Sequence, residues 1–431
     1  MKSGICRGET GKFMASCGMI HPGMAELGNS MAWGIFGLAY FTLALGYLPY
    51  FRLDRTGAVF ICALLAVGTK LLTLPEAFGA LEYRTLFVLF NMMVIVSYFV
   101  NSGVFSHALG FLERVESPAR MLWFTIFISG VSSAVFINDV VCLVFTPVVA
   151  DIALKRGWNP VPYLLAVAMA SNIGSAMTPI GNPQNMFIAS VSGISYQDFV
   201  IRLFPFSLFG LLLLGLFLAP MIKKESAAGV SAPPPHSRHV RKRDLARAGI
   251  VLVAVLAGFL MGAETGVVTG IGAAVLLLTR NISRKKIFSL VDWDLLVLFA
   301  SLFVVMGCAV KFGVIAAIFG ALEPLGIGSR AGYSMIVVVL SNIVGNVPAV
   351  VFLAPMAQKL GGGDDLFLLT AAVSTFAGNL TLTGSIANLI VAEKAKAKGI
   401  TIGFWVYARY GFFITLILCA AAAFFIPLPG R

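Results

Sequence analysis

Residues Ser171 to Asn185 read SNIGSAMTPIGNPQN, and Ser374 to Asn388, near the other end of the chain, read STFAGNLTLTGSIAN. The two stretches align without a gap and share Ser171 with Ser374, Thr178 with Thr381, Gly181 with Gly384 and Asn185 with Asn388. Each interrupts a long apolar run with hydroxyls, amides and helix breakers, at Thr178-Pro179-Ile180-Gly181-Asn182-Pro183 and at Gly378-Asn379 through Gly384-Ser385. Proline removes a backbone donor and glycine releases the chain from helical dihedrals, so both runs, 161–192 and 365–393, should unwind in their middles.

Working outward, the neighbouring segments match as well. Phe136-Ile137-Asn138-Asp139, followed by Val144-Phe145-Thr146-Pro147, answers to Val344-Gly345-Asn346-Val347, followed by Phe352-Leu353-Ala354-Pro355. These lie in two further broken apolar stretches, 119–150 and 330–358. Upstream, Leu81-Glu82-Tyr83-Arg84 answers to Val291-Asp292-Trp293-Asp294. The chain therefore carries an internal duplication of roughly 200 residues, too long for a solenoid repeat.

The breaks sit in a chain that is 59% hydrophobic and 12% charged, with a mean hydropathy of +0.93. That much apolar surface does not fit inside a water-soluble core, so the solvent is lipid. Apolar runs without period-two alternation select helices over a barrel. Uninterrupted spans are expected near 31–48, 56–70, 84–100 and 199–222, and again near 247–263, 266–280, 293–312 and 403–427. If 119–150 and 330–358 are re-entrant hairpins, each half makes five crossings, and an odd number inverts the second half.

The expected fold is all-α and polytopic: two inverted-topology repeats of five spans, each with a re-entrant hairpin and an unwound helix. Its divisions are an N-terminal segment 1–30, a first repeat 31–222, a basic Pro/Ser linker 223–246 and a second repeat 247–431. Residues 1–30 hold no uninterrupted apolar run and are read as neither signal peptide nor span, and Met14, Met19, Met24 and Met31 leave room for a later start.

With Met31 outside, about two thirds of the Lys and Arg fall on the inner side, including the linker, as cytoplasmic loops require. The net charge of +12 is thus a topology signal, and nucleic-acid binding is excluded as its explanation. A bacterial inner (plasma) membrane is the expected location, with the linker cytoplasmic.

Helices broken at membrane depth are tolerated where the freed backbone lines a cavity or an ion site. The ligands around the breaks are Asn138, Ser175, Thr178, Asn182, Gln184 and Asn185 in the first half, and Asn346, Asn379, Thr381, Thr383, Ser385 and Asn388 in the second. Asp139 is the carboxylate among them. A charge in an apolar stretch is costly, so Asp139, beside Asn138, is read as the seat of the coupling ion, proton or sodium. Its counterpart in the second half is Val347.

Three further residues are candidates. Lys311, at the end of span 293–312, could pair with Asp139, attract an anion or reach the outer interface. Cys142 and Cys308 are the thiols nearest the breaks, and trivalent metalloids favour thiolates. The six cysteines form no CxxC or Cys/His cluster, so no metal site, disulfide or cofactor is expected. GxSxG, HExxH and Walker signatures are absent, which points away from an enzyme.

The Asn-Asp tip at 138–139, the Thr178-to-Asn185 segment and the Asn379-to-Asn388 segment resemble the ion transporter superfamily. The nearest branch is the ArsB/NhaD permeases, which include arsenite efflux permeases and sodium/proton antiporters, with citrate and dicarboxylate carriers as cousins. The resemblance spans about residues 31 to 427. It implies a scaffold and a transport domain in alternating access, a homodimer and, for an arsenite permease, an ATPase subunit as partner.

The Asn138-Asp139 tip resembles the arsenite and sodium/proton members, whereas Gly181-Asn182-Pro183-Gln184-Asn185 resembles the anion carriers. The expected function is secondary active transport. Proton-coupled efflux of arsenite or antimonite comes first. Carriage of sulfate, citrate or a dicarboxylate, or sodium/proton antiport, is the alternative.

Overall fold

The structure, a computed structural model, describes residues 22–48, 53–222, 242–279, 282–361 and 363–426. Most of the linker and residues 1–21 lie outside the described residues. The first described helix, α1 (Pro22–Leu45), begins ahead of the expected Met31. Pro22 suits a first helical turn, and the Met-Ala-Glu-Leu that follows consists of strong helix formers.

A two-stranded turn, β1 (Tyr47–Leu48) against β2 (Leu53–Asp54), leads to α2 (Arg55–Gly68). Asp54 caps α2 by accepting from the Gly57 N–H at 2.9 Å. Then come α3 (Leu74–Ala80), α4 (Tyr83–Ser102) and α5 (Val104–Leu109). The broken elements follow as α6 (Pro118–Val135) with α7 (Asn138–Lys155), and α8 (Val161–Ser175) with α9 (Pro183–Ser192). The half closes with α10 (Tyr196–Leu218).

The second half runs in the same order. Helix α11 (Lys242–Leu260) leads to α12 (Thr265–Leu277), α13 (Arg284–Phe288), α14 (Trp293–Lys311) and α15 (Val314–Leu322). The pairs α16 (Arg330–Val344) with α17 (Asn346–Lys359) and α18 (Gly363–Ala377) with α19 (Ile386–Lys396) precede α20 (Phe404–Phe425). All four expected breaks are present. The short helices α3, α5, α13 and α15 were not expected, because a run of five to nine residues carries too little periodicity to declare itself. The turns into α5 and α15 use Gly103 at φ 82° and Gly313 at φ 73°, the left-handed conformation in which glycine bears no Cβ penalty.

Five of the described helices are long and apolar enough to cross a membrane: Tyr83–Ser102, Pro118–Val135, Tyr196–Met221, Trp293–Lys311 and Phe404–Phe425. Helices α8 and α18 are different. All side chains from Pro162 to Ser175, and from Leu366 to Ala377, are buried. A helix apolar on every side belongs in the middle of the fold, so both breaks open at its centre.

The two halves interlock. Helix α2 packs on α14 of the other half, and α12 on α4. Deeper in, the hairpin arm α7 packs on α19, and α17 on α9, so each hairpin lies against the broken helix of the opposite half. Within the first half, a Cβ on Gly174 would come within 2.1 Å of the Gly130 carbonyl oxygen, so α6 and α8 cross at backbone contact.

Candidate functional site

Each of the two unwound helices is held by an asparagine reaching back to the carbonyls that unwinding sets free. The Asn185 Nδ2 donates to the carbonyls of Ser175 and Thr178, both at 3.2 Å. The Asn388 Nδ2 donates to those of Gly378 at 2.7 Å and Thr381 at 3.1 Å. The acceptors lie ten and seven residues upstream in both halves. The side-chain amide therefore replaces the donors a continuous helix would have supplied.

The breaks are joined to each other across the repeat boundary. From α8, Asn172 donates to the Oδ1 atoms of Asn379 and Asn388, each at 3.0 Å, while its own Oδ1 accepts from Asn138 at 3.0 Å and Ser385 at 3.1 Å. From α18, the Thr375 hydroxyl accepts from Asn182 and Gln184, each at 3.3 Å, and donates to Asn185 at 3.4 Å. Asn172 and Thr375 occupy equivalent places in the two quoted stretches, so one half of the network mirrors the other.

Neither Asn172 nor Thr375 was among the sequence candidates. Both sit in the last turns of α8 and α18, ahead of the unwound residues. Their signal in the sequence was a polar side chain at the same position of both aligned stretches, next to Ser171 and Ser374.

The hairpin tips are tied to the same segments. The Asn138 N–H donates to the Gly181 carbonyl at 3.0 Å, and the Thr178 hydroxyl donates to the Ala134 carbonyl. In the second half Asn342 donates to the Ala377 carbonyl at 3.0 Å and accepts from the Thr381 hydroxyl at 3.2 Å. Gly345, at φ 91° and ψ 158°, turns that tip in a region open only to glycine. Ile137, at φ −64° and ψ 127°, turns the first tip with ordinary extended backbone.

Helices α7, α9, α17 and α19 all begin at these tips and breaks, with Asn182 capping α9 by accepting from the Asn185 N–H at 2.9 Å. Helix N-termini present N–H groups and partial positive charge.

Several buried polar atoms of this cluster find no hydrogen-bond partner among the described residues. They are Asn138 Oδ1, Asn346 Oδ1, Asn379 Nδ2, and the hydroxyls of Ser133 and Ser341. Four of them form two equivalent pairs, Ser133 with Asn138 and Ser341 with Asn346, on the two hairpins. Buried polar groups are ordinarily paired, so these atoms are available to a polar ligand or to water.

The structure thus brings together Asn138, Ser175, Thr178, Asn182, Gln184, Asn185, Asn379, Thr381, Ser385 and Asn388. Asn346 joins them beside Gly378, where a Cβ would stand 3.0 Å from its Nδ2. Thr383 is exposed at the margin, 3.3 Å from the Thr381 hydroxyl. Asp139 is half-buried next to Asn138 and accepts no hydrogen bond from any described residue.

The three remaining candidates stand apart. Lys311 forms an ion pair with Glu76 at 2.7 Å and donates to the Leu71 carbonyl at 3.1 Å, so it is engaged on α3 and not with Asp139. Cys142 is buried with its Sγ 2.9 Å from the Ser171 hydroxyl of α8. Cys308 is buried within α14. No group of three or more His, Cys, Asp or Glu that could hold a metal occurs among the described residues.

Residues 38–366, most of both repeats, match the citrate transporter family. The chain belongs to the citrate transporter family. Its relatives agree over nearly the whole length. A transporter of Mycobacterium tuberculosis is 29% identical, over 91% of this chain and 98% of its own. A silicon efflux transporter of Oryza sativa subsp. japonica is 28% identical, over 94% of this chain and 97% of its own. The fold matches the crystal structure of the YdaH transporter of Alcanivorax borkumensis, with a TM-score of 0.59 and 16% identity, over 93% of this chain and 97% of that one. As a citrate transporter family member, this chain is a polytopic membrane protein and a secondary transporter of a small solute.

Proposed function

We propose that the chain exports arsenite or antimonite, taken as the uncharged trihydroxide, in exchange for protons by alternating access across a bacterial plasma membrane. The observation that carries this reading is the pairing of buried acceptors without donors, Asn138 Oδ1 and Asn346 Oδ1, with a buried donor without an acceptor, Asn379 Nδ2. A metalloid hydroxide donates and accepts hydrogen bonds through each hydroxyl, so it satisfies both kinds of atom at once. A bare oxyanion only accepts, and would leave the two amide oxygens facing its charge. The rice relative is named for silicon efflux, and silicon dissolves in neutral water as an uncharged hydroxide, as trivalent arsenic does. Asp139 is the coupling carboxyl in this scheme, beside the tip residue Asn138 that touches the network.

A second reading has its own support. Two equivalent amide oxygens, each with a serine hydroxyl nearby in the sequence, could each hold sodium, leaving Asn379 Nδ2 and the helix N-termini for citrate, a dicarboxylate or sulfate. The family description, citrate transporter, favours it. Bare sodium/proton antiport would use the same oxygens. Uptake into everted vesicles with arsenite, citrate and sulfate, at set proton and sodium gradients, separates them. Proton-driven arsenite uptake that Asp139→Asn uncouples is the expected result. Citrate uptake that requires sodium would replace the first reading with the second.

A further inference from the structure

The second hairpin is fastened to α1 by a side-chain hydrogen bond, and among the described residues no such bond joins α11 to the first hairpin. Tyr40 on α1 donates its hydroxyl to the Pro348 carbonyl at 3.1 Å, with Met306 Sδ of α14 at 3.5 Å. Its ring stacks on Phe36 at 4.5 Å between centroids and meets Phe352 of α17 edge-on at 5.7 Å, while Phe36 and Phe352 lie 5.9 Å apart. Pro348 is two positions from Asn346, whose unpartnered Oδ1 belongs to the candidate site. One hydroxyl thus ties α1, α14 and the hairpin tip together.

The element of the second half equivalent to α1 is α11. From Ala248 to Leu260 it reads AGIVLVAVLAGFL, without one hydroxyl or amide side chain. Whatever the register, no residue there can do for the first hairpin what Tyr40 does for the second.

Transporters built of inverted repeats alternate access by rocking or gating one repeat or bundle against the other around the site. A contact between the two halves that has no equivalent across the repeat therefore weights the equilibrium toward the state that holds it. We propose that Tyr40 is a positioning residue, which fixes the second hairpin tip, and with it Asn346, against α1 and α14 in one of the two transport states. The functional consequence rests on the alternating-access reading above. The positional claim does not.

Tyr40→Phe isolates the hydroxyl, because the ring keeps its aromatic neighbours. Hydrogen–deuterium exchange of the purified protein in nanodiscs tests the claim without any substrate. A net hydrogen bond corresponds to roughly a two- to tenfold change in an opening equilibrium, so amides of 344–349 should exchange faster by that factor while those of 136–141 stay as in the wild type. Phe36→Leu, which retains the hydroxyl, should leave the 344–349 rate much closer to wild type. Unchanged exchange at 344–349, or an equal rise at both tips, overturns the proposal. Because no substrate is present, that failure is distinct from a failure of the arsenite reading.

Discussion

The Asn172 Nδ2 lies 3.0 Å from the Asn388 Oδ1, and this contact joins the centre of one repeat to the break of the other. Asn172 also bonds Asn379, Asn138 and Ser385, so four side chains from both repeats converge on one amide at 1% exposure. Asn172→Ala strips partners from several buried polar groups at once, each costing about 1–3 kcal/mol when left unpaired. We expect a clear loss of thermal stability and at least a tenfold fall in transport. Thr375→Ala, at the equivalent place, should do the same more mildly, because its three bonds are longer, at 3.3–3.4 Å. Melting of the purified variants by size-exclusion chromatography, with vesicle uptake beside it, checks both.

Backbone contact should make two glycines intolerant of even a methyl group. A Cβ on Gly174 would fall 2.1 Å from the Gly130 oxygen, and one on Gly411 would fall 2.0 Å from the Asn379 oxygen, where α20 leans on the second break. Backbone cannot swing aside as a side chain can, so overpacking here should reach the top of the usual range of about 1–3 kcal/mol. Gly174→Ala and Gly411→Ala should reduce the yield of folded protein, whereas Gly37→Ala, with nothing within 4 Å, should be silent. Folded yield after solubilisation measures this, and a fully folded Gly411→Ala would contradict the packing described.

Lys311 and Glu76 should report on stability and not on coupling. The Lys311 ammonium, followed by the Thr73 N–H, holds the Glu76 carboxyl below its usual range. A carboxyl depressed in the folded state stabilises it above that range, and the contribution is lost as pH falls through the folded value. The pair is partly exposed, so it is worth at most about 1 kcal/mol. Lys311→Gln should melt slightly below wild type at neutral pH, with the gap closing in acid, and should leave the ion dependence of transport unaltered. Melting curves across a pH series test the sign.

How far the sequence revealed this arrangement depended on whether a signal was local. The four breaks were legible because Pro, Gly, Asn and Thr inside apolar runs oppose helix continuation within a few residues. Gly181 and Gly384, Asn185 and Asn388 could be paired by eye because the repeats have kept them. What escaped depends on partners distant in the chain. Lys311 is bound to Glu76, and no spacing rule links residues 235 positions apart. Asn172 and Thr375 were overlooked because each serves the opposite repeat, a cross-connection that appears only once α7 lies on α19 and α17 on α9.

The unpartnered oxygens offer the most discriminating prediction. A side chain that serves folding destabilises when its polar atom is removed, but one that serves a ligand does not, because in the ligand-free protein that atom already pays a desolvation penalty. Asn346 Oδ1 is buried without a donor, so Asn346→Leu, similar in size, removes an acceptor that nothing in the described structure satisfies. Its melting temperature should equal or exceed that of wild type, while the KM for the transported solute should rise about tenfold, the factor expected for one lost polar contact. Asn388→Leu is the contrast. Its Nδ2 holds the carbonyls of Gly378 and Thr381, so stability and transport should fall together. If Asn346→Leu melts well below wild type, Asn346 belongs to the scaffold of the hairpin, and the solute is bound by the Asn172 network alone.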